Sequence, residues 1–314
     1  MAHDHQAHGH GAHGDLGHSH APTRFDHVFA IAVALNVLVV LAELGFGYLA
    51  NSLALMADSA HNFSDVVGLL LAWGAAWLGT YRPTARRTYG YRRASILAAL
   101  GNAALLLVAT GGIIVEAIGR LHRPEQVSTG IVIWVAVIGI VVNGATALLF
   151  MRDRHRDMNI KGAFLHMAGD AGISLGVVIA AVLTMWTGWL WLDPLVSFGI
   201  ALAVLLGGWG LARDAMDLAL DAVPGGINQD DVRSYLRSLP GVSEVHDLHI
   251  WAMSTTETAL TAHLVRPGAS LDDRLLHDTA RELAQRFGIG HATLQIEAGH
   301  VDQACRLADE CPPV

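Results

Sequence analysis

The sequence predicts an all-α transmembrane domain of six helices, followed by a small α/β domain. Of the 314 residues, 53% are hydrophobic and only 15% are charged, whereas soluble domains carry about 25% charged residues. Six apolar runs follow one another in the first two thirds of the chain, and the character of the sequence changes after Pro224-Gly-Gly. These observations favour an integral membrane protein with a separate domain at its C-terminal end.

Each of the six apolar runs is long enough to cross a hydrocarbon core of about 30 Å. The runs cover residues 27–50, 54–79, 93–119, 130–151, 160–186 and 190–212, within a predicted transmembrane domain of residues 27–221. Nine Arg and Lys residues lie in and beside the loops after the second and fourth runs, against two in the loop after the third. By the positive-inside rule, both termini are expected in the cytoplasm.

The second domain is predicted over residues 222–298, with an α-β-β-α-β order of elements. Asn228 is a good N-cap and begins a helix that is expected to continue to about Leu239. Strands are expected at 242–250, 257–265 and 291–297, and an amphipathic helix at 270–287. This order is typical of a ferredoxin-like, metallochaperone-like fold. From Ala222 onward thirteen acidic residues outnumber seven Arg, which argues against a nucleic-acid partner.

Two short tails flank these domains. Residues 1–26 carry seven histidines among Gly, Ala and Asp, and such a segment cannot bury enough apolar surface to fold. We predict a disordered tail that captures metal weakly through neutral imidazoles; an expression tag is the alternative, although tags are contiguous. The C-terminal tail, residues 299–314, holds His300, Cys305 and Cys311, which form either a soft metal site or a frayed end.

Two HxxxD pairs interrupt the apolar runs, His61–Asp65 in the second run and His166–Asp170 in the fifth. Residues four apart lie on one face of a helix, and ionisable side chains at membrane depth cost roughly 2.5–3.5 kcal/mol each, so they are functional by default. Two imidazoles and two carboxylates suit a tetrahedral Zn²⁺ or a related borderline ion. A structural hydrogen-bonding role is the alternative for each residue alone, and the repetition of the pair disfavours it.

The number of ligands in this predicted site bears on its function. Four protein ligands leave no open position for a substrate water, which favours transport over catalysis. Because imidazoles titrate near neutrality, protons and metal compete for the site, and metal/proton exchange is expected. Two rival functions are a membrane metalloenzyme that activates water and a non-transporting metal sensor.

Small residues and further polar residues accompany the two pairs. Stripes of small side chains, which let helices approach closely, follow Ala57, Ala60, Ser64 and Gly68 on the second helix and Gly169, Gly172 and Gly176 on the fifth. We therefore expect these two helices to pack together and assemble the site. Asn36, Glu43, Glu116 and Asn143 either line a pathway or bridge helices. Asp58 is a carboxylate on the approach path or one that supports the ligands.

Metal-ligating residue types recur in the second domain. His246 and His249 lie on its first predicted strand, His263 on its second and Glu297 near the end of its third, with His300 following. Any one of these is more often a half-exposed surface residue than a ligand. As a group they predict a second metal site.

Beyond these arguments, residues 24–300 resemble the cation diffusion facilitator family, in its branch of bacterial zinc/cobalt/cadmium exporters. The resemblance is carried by residues 52–65, Tyr89-Gly-Tyr-Arg-Arg, His166-Met-Ala-Gly-Asp170, Trp191-Leu-Asp-Pro and Val245-His-Asp-Leu-His-Ile-Trp251. It implies a homodimer of the bacterial inner membrane, packed through its cytoplasmic domains. It further implies alternating-access exchange of cytosolic Zn²⁺ for external protons, with Cd²⁺ or Co²⁺ as secondary substrates.

The resemblance also implies roles for individual residues. The four HxxxD residues match the family's transport site, and His246 and His263 match two ligands of its cytosolic zinc site, which implies a regulatory Zn²⁺. Arg93 and Asp221 match a charge pair that couples the two domains in some relatives. The loop after the second span departs from the pattern of some relatives, because it offers Arg87 and Tyr91 where they have zinc ligands. No zinc site is expected in that loop.

Overall fold

The computed structural model describes residues 27–151, 158–268 and 272–299. Six long helices come first in these ranges: α1 His27–Leu49, α2 Leu53–Gly79, α3 Ala94–His122, α4 Thr129–Phe150, α5 Met158–Thr187 and α6 Leu192–Ala219. A smaller α/β unit follows: α7 Gln229–Arg237, β1 Glu244–Ala252, β2 Thr258–Val265, α8 Asp273–Phe287 and β3 His291–Glu297. The order of its elements is the α-β-β-α-β order that the sequence predicts.

Among the described residues, four helical stretches are long and apolar enough to cross a membrane. They are Ala94–His122, Thr129–Leu148, Phe164–Thr187 and Leu192–Ala219, in α3 to α6. The described apolar part of α1 is the shorter Val37–Leu49. Helix α2 has 27 residues, but Asp58, His61 and Asp65 interrupt its apolar sequence. The helical domain thus has four clear span candidates, and a crossing by all six helices stays a prediction.

The long helices pack in two groups that α2 joins. Helix α4 packs along α5, α3 packs along α6, and α2 contacts α1, α3, α5 and α6. Small and β-branched side chains fill one part of the interior between α2, α4 and α5, including Ala57, Ala136 and Val177. Large apolar side chains such as Val108, Trp134 and Leu206 are exposed on the outer faces, as expected of helices that face lipid. Helix α2, which carries the first HxxxD pair, therefore lies at the centre of the domain.

The start of α2 is fixed by a carboxylate from α6. Asp193 is buried; it accepts hydrogen bonds from the Ser52 hydroxyl and from the Leu53 amide at 2.8 Å. Ser52 is also the N-cap of α2 and accepts a hydrogen bond from the Leu55 amide at 3.3 Å. Because the first amides of a helix have no partner within it, these contacts anchor α2 and set the depth of its HxxxD pair.

The α/β unit has a three-stranded sheet in the order β1-β2-β3. Strands β1 and β2 are antiparallel, and β2 and β3 are parallel. Val232 of α7, Leu260 of β2 and Leu283 of α8 are fully buried on one face of the sheet. As predicted, Asn228 is the N-cap of α7, where its side chain accepts a hydrogen bond from the Asp230 amide at 2.9 Å. The ferredoxin-like description of this unit stays a prediction.

Candidate functional site

The two HxxxD pairs meet where α2 contacts α5. Asp65 Oδ2 lies 3.7 Å from His61 Nε2 and 3.3 Å from His166 Nε2, so this one atom faces both imidazoles. His166 Nε2 lies 3.6 Å from Asp170 Oδ2, and one donor atom each of His61, His166 and Asp170 lies within 4.8 Å of the other two. The structure therefore brings together all four residues that the sequence predicts as ligands.

The spacing of these atoms fits a small metal ion. With Zn–N and Zn–O bonds of about 2.0–2.2 Å, neighbouring donors of a tetrahedral site are roughly 3.3–3.6 Å apart. The measured separations of 3.3, 3.6 and 3.7 Å are close to this range. The rings of the two histidines lie edge to face, with centroids 5.8 Å apart. The two carboxylates balance the charge of a dication in a site of low polarity.

The four side chains differ in exposure. Asp65 and His166 have 38% and 39% of their side-chain surface exposed, whereas Asp170 has only 3% and His61 has 22%. The two exposed ligands are the ones nearer the α2–α3 and α4–α5 loops. The exposed ligands thus lie on the loop side of each pair, and the most buried ligand lies on the opposite side.

The small-residue stripes do not all act as predicted. A Cβ at Gly68 would lie 2.7 Å from Asn102 Nδ2, so the α2 stripe brings that helix close to α3. On α5, by contrast, no neighbouring atom lies within 4 Å of a Cβ built at Gly169, Gly172 or Gly176 in the described part of the protein. The predicted contact between α2 and α5 is present, but these three glycines have no close neighbour in it.

A second cluster of metal-ligating side chains spans the three strands. His246 of β1 is the cross-strand partner of His263 of β2, and their rings lie 5.3 Å apart. Glu297 at the end of β3 joins them, with Oε2 at 3.3 Å from His246 Nε2 and Oε1 at 3.0 Å from His263 Nδ1. These three residues lie close enough together to hold a metal ion. The structure thus assembles three of the predicted cytosolic ligands.

His249 lies apart from this trio. The ladder between β1 and β2 is irregular between His246 and His249, and Asp247 adopts a left-handed conformation with φ of 49°. Asp247 then faces His263 Nε2 at 3.4 Å and His249 Nε2 at 2.8 Å. The sequence places Asp247 on the first strand beside His246 and His249, but it was not among the predicted ligands. The predicted ligands His300, Cys305 and Cys311 and the His-rich segment 1–26 lie outside the described residues.

Contacts between the helical domain and the α/β unit gather at the start of α3. Arg93 donates a hydrogen bond to Asp221, which follows α6 in a left-handed conformation with φ of 61°, so the predicted charge pair is formed. Two further contacts between these regions were not predicted from the sequence. Arg92 lies 3.1 Å from Glu257, and the amide of Thr255 donates to the Ser95 hydroxyl at 3.1 Å. Both join α3 to the turn between β1 and β2.

The loop after α2 contains the residues that depart from the family's pattern. Arg87 Nη1 donates to the Tyr91 hydroxyl at 2.6 Å, and the Arg87 guanidinium lies 4.6 Å from the centre of the Tyr91 ring. The two side chains are therefore bound to each other. A cation and a phenol in this arrangement stabilise the loop and are not a ligand set for a dication.

Sequence comparisons agree with this two-part architecture. The family description "Cation efflux transmembrane domain" matches residues 29–218, and "Cation efflux protein, cytoplasmic domain" matches residues 224–299. The chain is 35% identical over 291 residues to the cation efflux system protein CzcD of Alcaligenes sp. (strain CT14), which covers 92% of each chain.

Two other relatives carry more specific names. The cadmium, cobalt and zinc/H(+)-K(+) antiporter of Bacillus subtilis is 34% identical, over 90% of this chain and 92% of its own. The zinc transporter ZitB of Escherichia coli is 34% identical, over 86% of each chain. Among solved structures, the metal-bound C-terminal domain of the CzcD transporter from Cupriavidus metallidurans is 35% identical and matches 23% of this chain and 99% of its own, with a TM-score of 0.22.

Proposed function

Since this chain belongs to the cation efflux family, whose members are transporters rather than enzymes, we propose that it exports Zn²⁺ from the cytoplasm in exchange for protons. The observation that carries the proposal is that His61, Asp65, His166 and Asp170 meet where α2 contacts α5, with donor atoms of neighbouring residues 3.3–3.7 Å apart. The names of the relatives add Cd²⁺ and Co²⁺ as further substrates.

Metal binding at this centre is coupled to the release of protons. A neutral imidazole is the form that ligates Zn²⁺, so an arriving ion displaces any proton held by His61 or His166. When the ion leaves, the imidazoles are available to protons again. The same four side chains thus carry the ion in one direction and protons in the other, and a pH gradient drives the cycle.

The exposure of the ligands supports an alternating-access mechanism. Asp65 and His166, the ligands nearer the α2–α3 and α4–α5 loops, are partly exposed, whereas Asp170 is almost fully buried. The Arg-rich composition of those loops supports their placement in the cytoplasm. In this state the site takes up ions from the cytoplasm, and a relative movement of α2 and α5 would close that side and open the other.

The same proposal covers topology and assembly. We assign six spans with both termini in the cytoplasm of a bacterial cell, in the inner membrane, and a homodimer held together by the α/β unit. The description of residues 224–299 as the family's cytoplasmic domain supports this placement. The trio His246, His263 and Glu297 is assigned as a Zn²⁺ site of that domain, where bound metal regulates transport. Of the two rival functions, family membership excludes the metalloenzyme, and no contact within residues 27–151, 158–268 and 272–299 favours a sensor that does not transport.

The experiment is zinc flux into proteoliposomes across an imposed pH gradient, read with an internal zinc indicator. We expect the wild-type protein to follow the gradient and Asp170→Ala to lose the flux. The matched control is Asp214→Ala, because Asp214 is an exposed aspartate of α6 and should transport normally.

Two outcomes would contradict the proposal. Normal flux by Asp170→Ala would mean that the HxxxD pairs are structural. Zinc flux that ignores the pH gradient in the wild-type protein would leave the transport site in place but remove proton exchange as its mechanism.

A further inference from the structure

A buried cluster of carboxylates lies beside the four-donor site and takes no part in it. It contains Glu43 of α1, Asp58 of α2 and Ser174 of α5, which are 1%, 0% and 0% exposed. We call these three residues the outer acid cluster. They come from three different helices and meet in the interior of the helical domain.

Hydrogen bonds in the outer acid cluster leave most of its carboxylate oxygens unsatisfied. The Ser174 hydroxyl donates to Asp58 Oδ2 at 2.9 Å. Asp58 Oδ1 and both oxygens of Glu43 have no hydrogen-bond partner among the residues that the structure describes. Three buried acceptors therefore face the inside of one cluster.

Gly139 of α4 lies against this cluster. A Cβ at Gly139 would lie 2.6 Å from Glu43 Oε1 and 3.3 Å from Ser174 Oγ, so the carboxylate and the hydroxyl share the space that a larger residue would fill. Glu43 also lies within electrostatic range of Asp58 and Asp170. The outer acid cluster is thus a compact oxygen-lined space next to the four-donor site.

Physical chemistry requires a partner for these carboxylates. A carboxylate away from water either takes up a proton or keeps its charge by pairing with a cation, and an unpaired charge is also costly at membrane depth. No Lys or Arg side chain pairs with Glu43 or Asp58 among the described ion pairs. A positive ion held between them would satisfy the three oxygens and balance their charge.

The position of the cluster relates it to the path of the metal. Asp58 lies three residues before His61, and Ser174 lies four residues after Asp170. Each is about one helical turn, or 5.4 Å, from the neighbouring ligand on its own helix. In both helices the displacement is away from the loops that we assign to the cytoplasm, so the cluster lies on the outward side of the four-donor site.

We propose that the outer acid cluster is a second binding station for the transported divalent cation, occupied on its way out; this inference rests on the proposed function. The donors here are all oxygen atoms, whereas the first site offers two imidazole nitrogens. Zn²⁺ prefers sites with nitrogen ligands, and oxygen donors suit harder ions. The second station therefore holds Zn²⁺ more weakly than the first and favours its release.

The test compares Glu43→Gln with the wild-type protein by equilibrium dialysis against ZnCl₂ and by zinc flux in proteoliposomes. We expect Glu43→Gln to bind one Zn²⁺ fewer per chain at saturating zinc. Its maximal flux should fall at least tenfold, while the zinc concentration for half-maximal uptake from the cytoplasmic side changes less than twofold. Gly139→Ala, which fills the space without changing the charge, should lose the same ion. Glu116→Gln is the matched control, because Glu116 is paired with Arg120 on α3.

Each other outcome overturns the inference in a distinguishable way. An unchanged number of bound ions in Glu43→Gln would overturn it, and if such a variant also ignored the pH gradient the cluster would be a proton site instead. A raised half-saturating concentration with unchanged maximal flux would place the cluster on the uptake path. If Asp170→Ala abolished flux while Glu43→Gln behaved as wild type, only this inference would fail. Normal flux by Asp170→Ala would overturn the proposed function as well.

Discussion

The membrane site and the cytosolic trio use the same ligand types on different scaffolds. In the membrane site, each histidine and its aspartate lie one turn apart on a single helix, and the two helices meet through side chains, without backbone hydrogen bonds between them. In the cytosolic trio, each ligand comes from a different strand, and backbone hydrogen bonds fix the register of His246 opposite His263. The membrane ligands reach 39% side-chain exposure, whereas the cytosolic ones do not exceed 19%.

This difference shows that a site between two helices suits transport of a metal ion, whereas a site within one sheet suits its retention. Two packed helices can slide or rotate relative to each other without breaking their internal hydrogen bonds. A change of that kind between α2 and α5 would separate Asp65 from His166 and release the ion. Strands in one sheet cannot move apart without losing ladder hydrogen bonds. The sheet therefore suits a site that stays formed, and the helix pair suits one that forms and opens in every cycle.

The comparison is tested most severely by removing one carboxylate at each site. Asp65→Ala removes the atom that faces both membrane imidazoles, and zinc flux should fall more than about 100-fold, since even residues that only support metal ligands are worth about 10–100-fold. Glu297→Ala should leave at least a third of the flux. The measurement is zinc uptake by proteoliposomes that contain equal amounts of each protein. Equal losses in the two variants would mean that the cytosolic trio is part of the transport path.

The second prediction concerns the choice of metal. His61→Asp exchanges one nitrogen donor for oxygen, and carboxylate ligands suit Mn²⁺ better than imidazole does. The ratio of Zn²⁺ to Mn²⁺ flux should therefore fall about tenfold. The parallel change His246→Asp, in the cytosolic trio, is the control and should leave that ratio as in the wild type. A change of the ratio in the His246 variant would show that the cytosolic trio also selects the transported ion.

The ligands of the membrane site were easier to predict from the sequence than the contacts of the α/β unit. The membrane ligands could be found because helical periodicity fixes which residues four apart share a face, and only the contact between α2 and α5 had to be assumed. The pairing of Arg93 with Asp221 required the resemblance to a family. Periodicity and motif spacing could not predict contacts that depend on tertiary structure. Asp247 faces His263 because of a bulge, and no sequence pattern indicated that Glu257 would reach Arg92.

A third prediction concerns the stabilising effect of metal on the α/β unit. Zn²⁺ at 100 times its dissociation constant should stabilise this unit by about 2.7 kcal/mol, and a chelator should remove the effect. Glu297→Gln removes the charge that contacts both imidazoles, so we expect its unfolding temperature to be insensitive to zinc. The measurement is thermal unfolding of the full chain in detergent with zinc and with EDTA.

The control for this effect is Glu282→Gln, since Glu282 is an exposed residue of α8. Its zinc-dependent shift should equal that of the wild type. If Glu297→Gln kept the wild-type shift, the cytosolic trio would not be the metal site that stabilises this unit. The comparison between a site that retains metal and a site that transports it would then not hold.

The smallest expected effect concerns the link between the two regions. Arg92 and Glu257 are 40% and 45% exposed, and exposed ion pairs contribute about 0.2–1 kcal/mol. A double-mutant cycle with Arg92→Ala and Glu257→Ala should give a coupling free energy in that range, read from hydrogen exchange of the Thr255 amide, which donates to Ser95.

Ser95→Ala should speed that exchange about fivefold, because a hydrogen bond of this kind contributes about 1 kcal/mol. A coupling free energy of zero would mean that the Arg92–Glu257 pair adds nothing to the link between the two regions. The Ser95–Thr255 hydrogen bond and the Arg93–Asp221 pair would then carry that link without it.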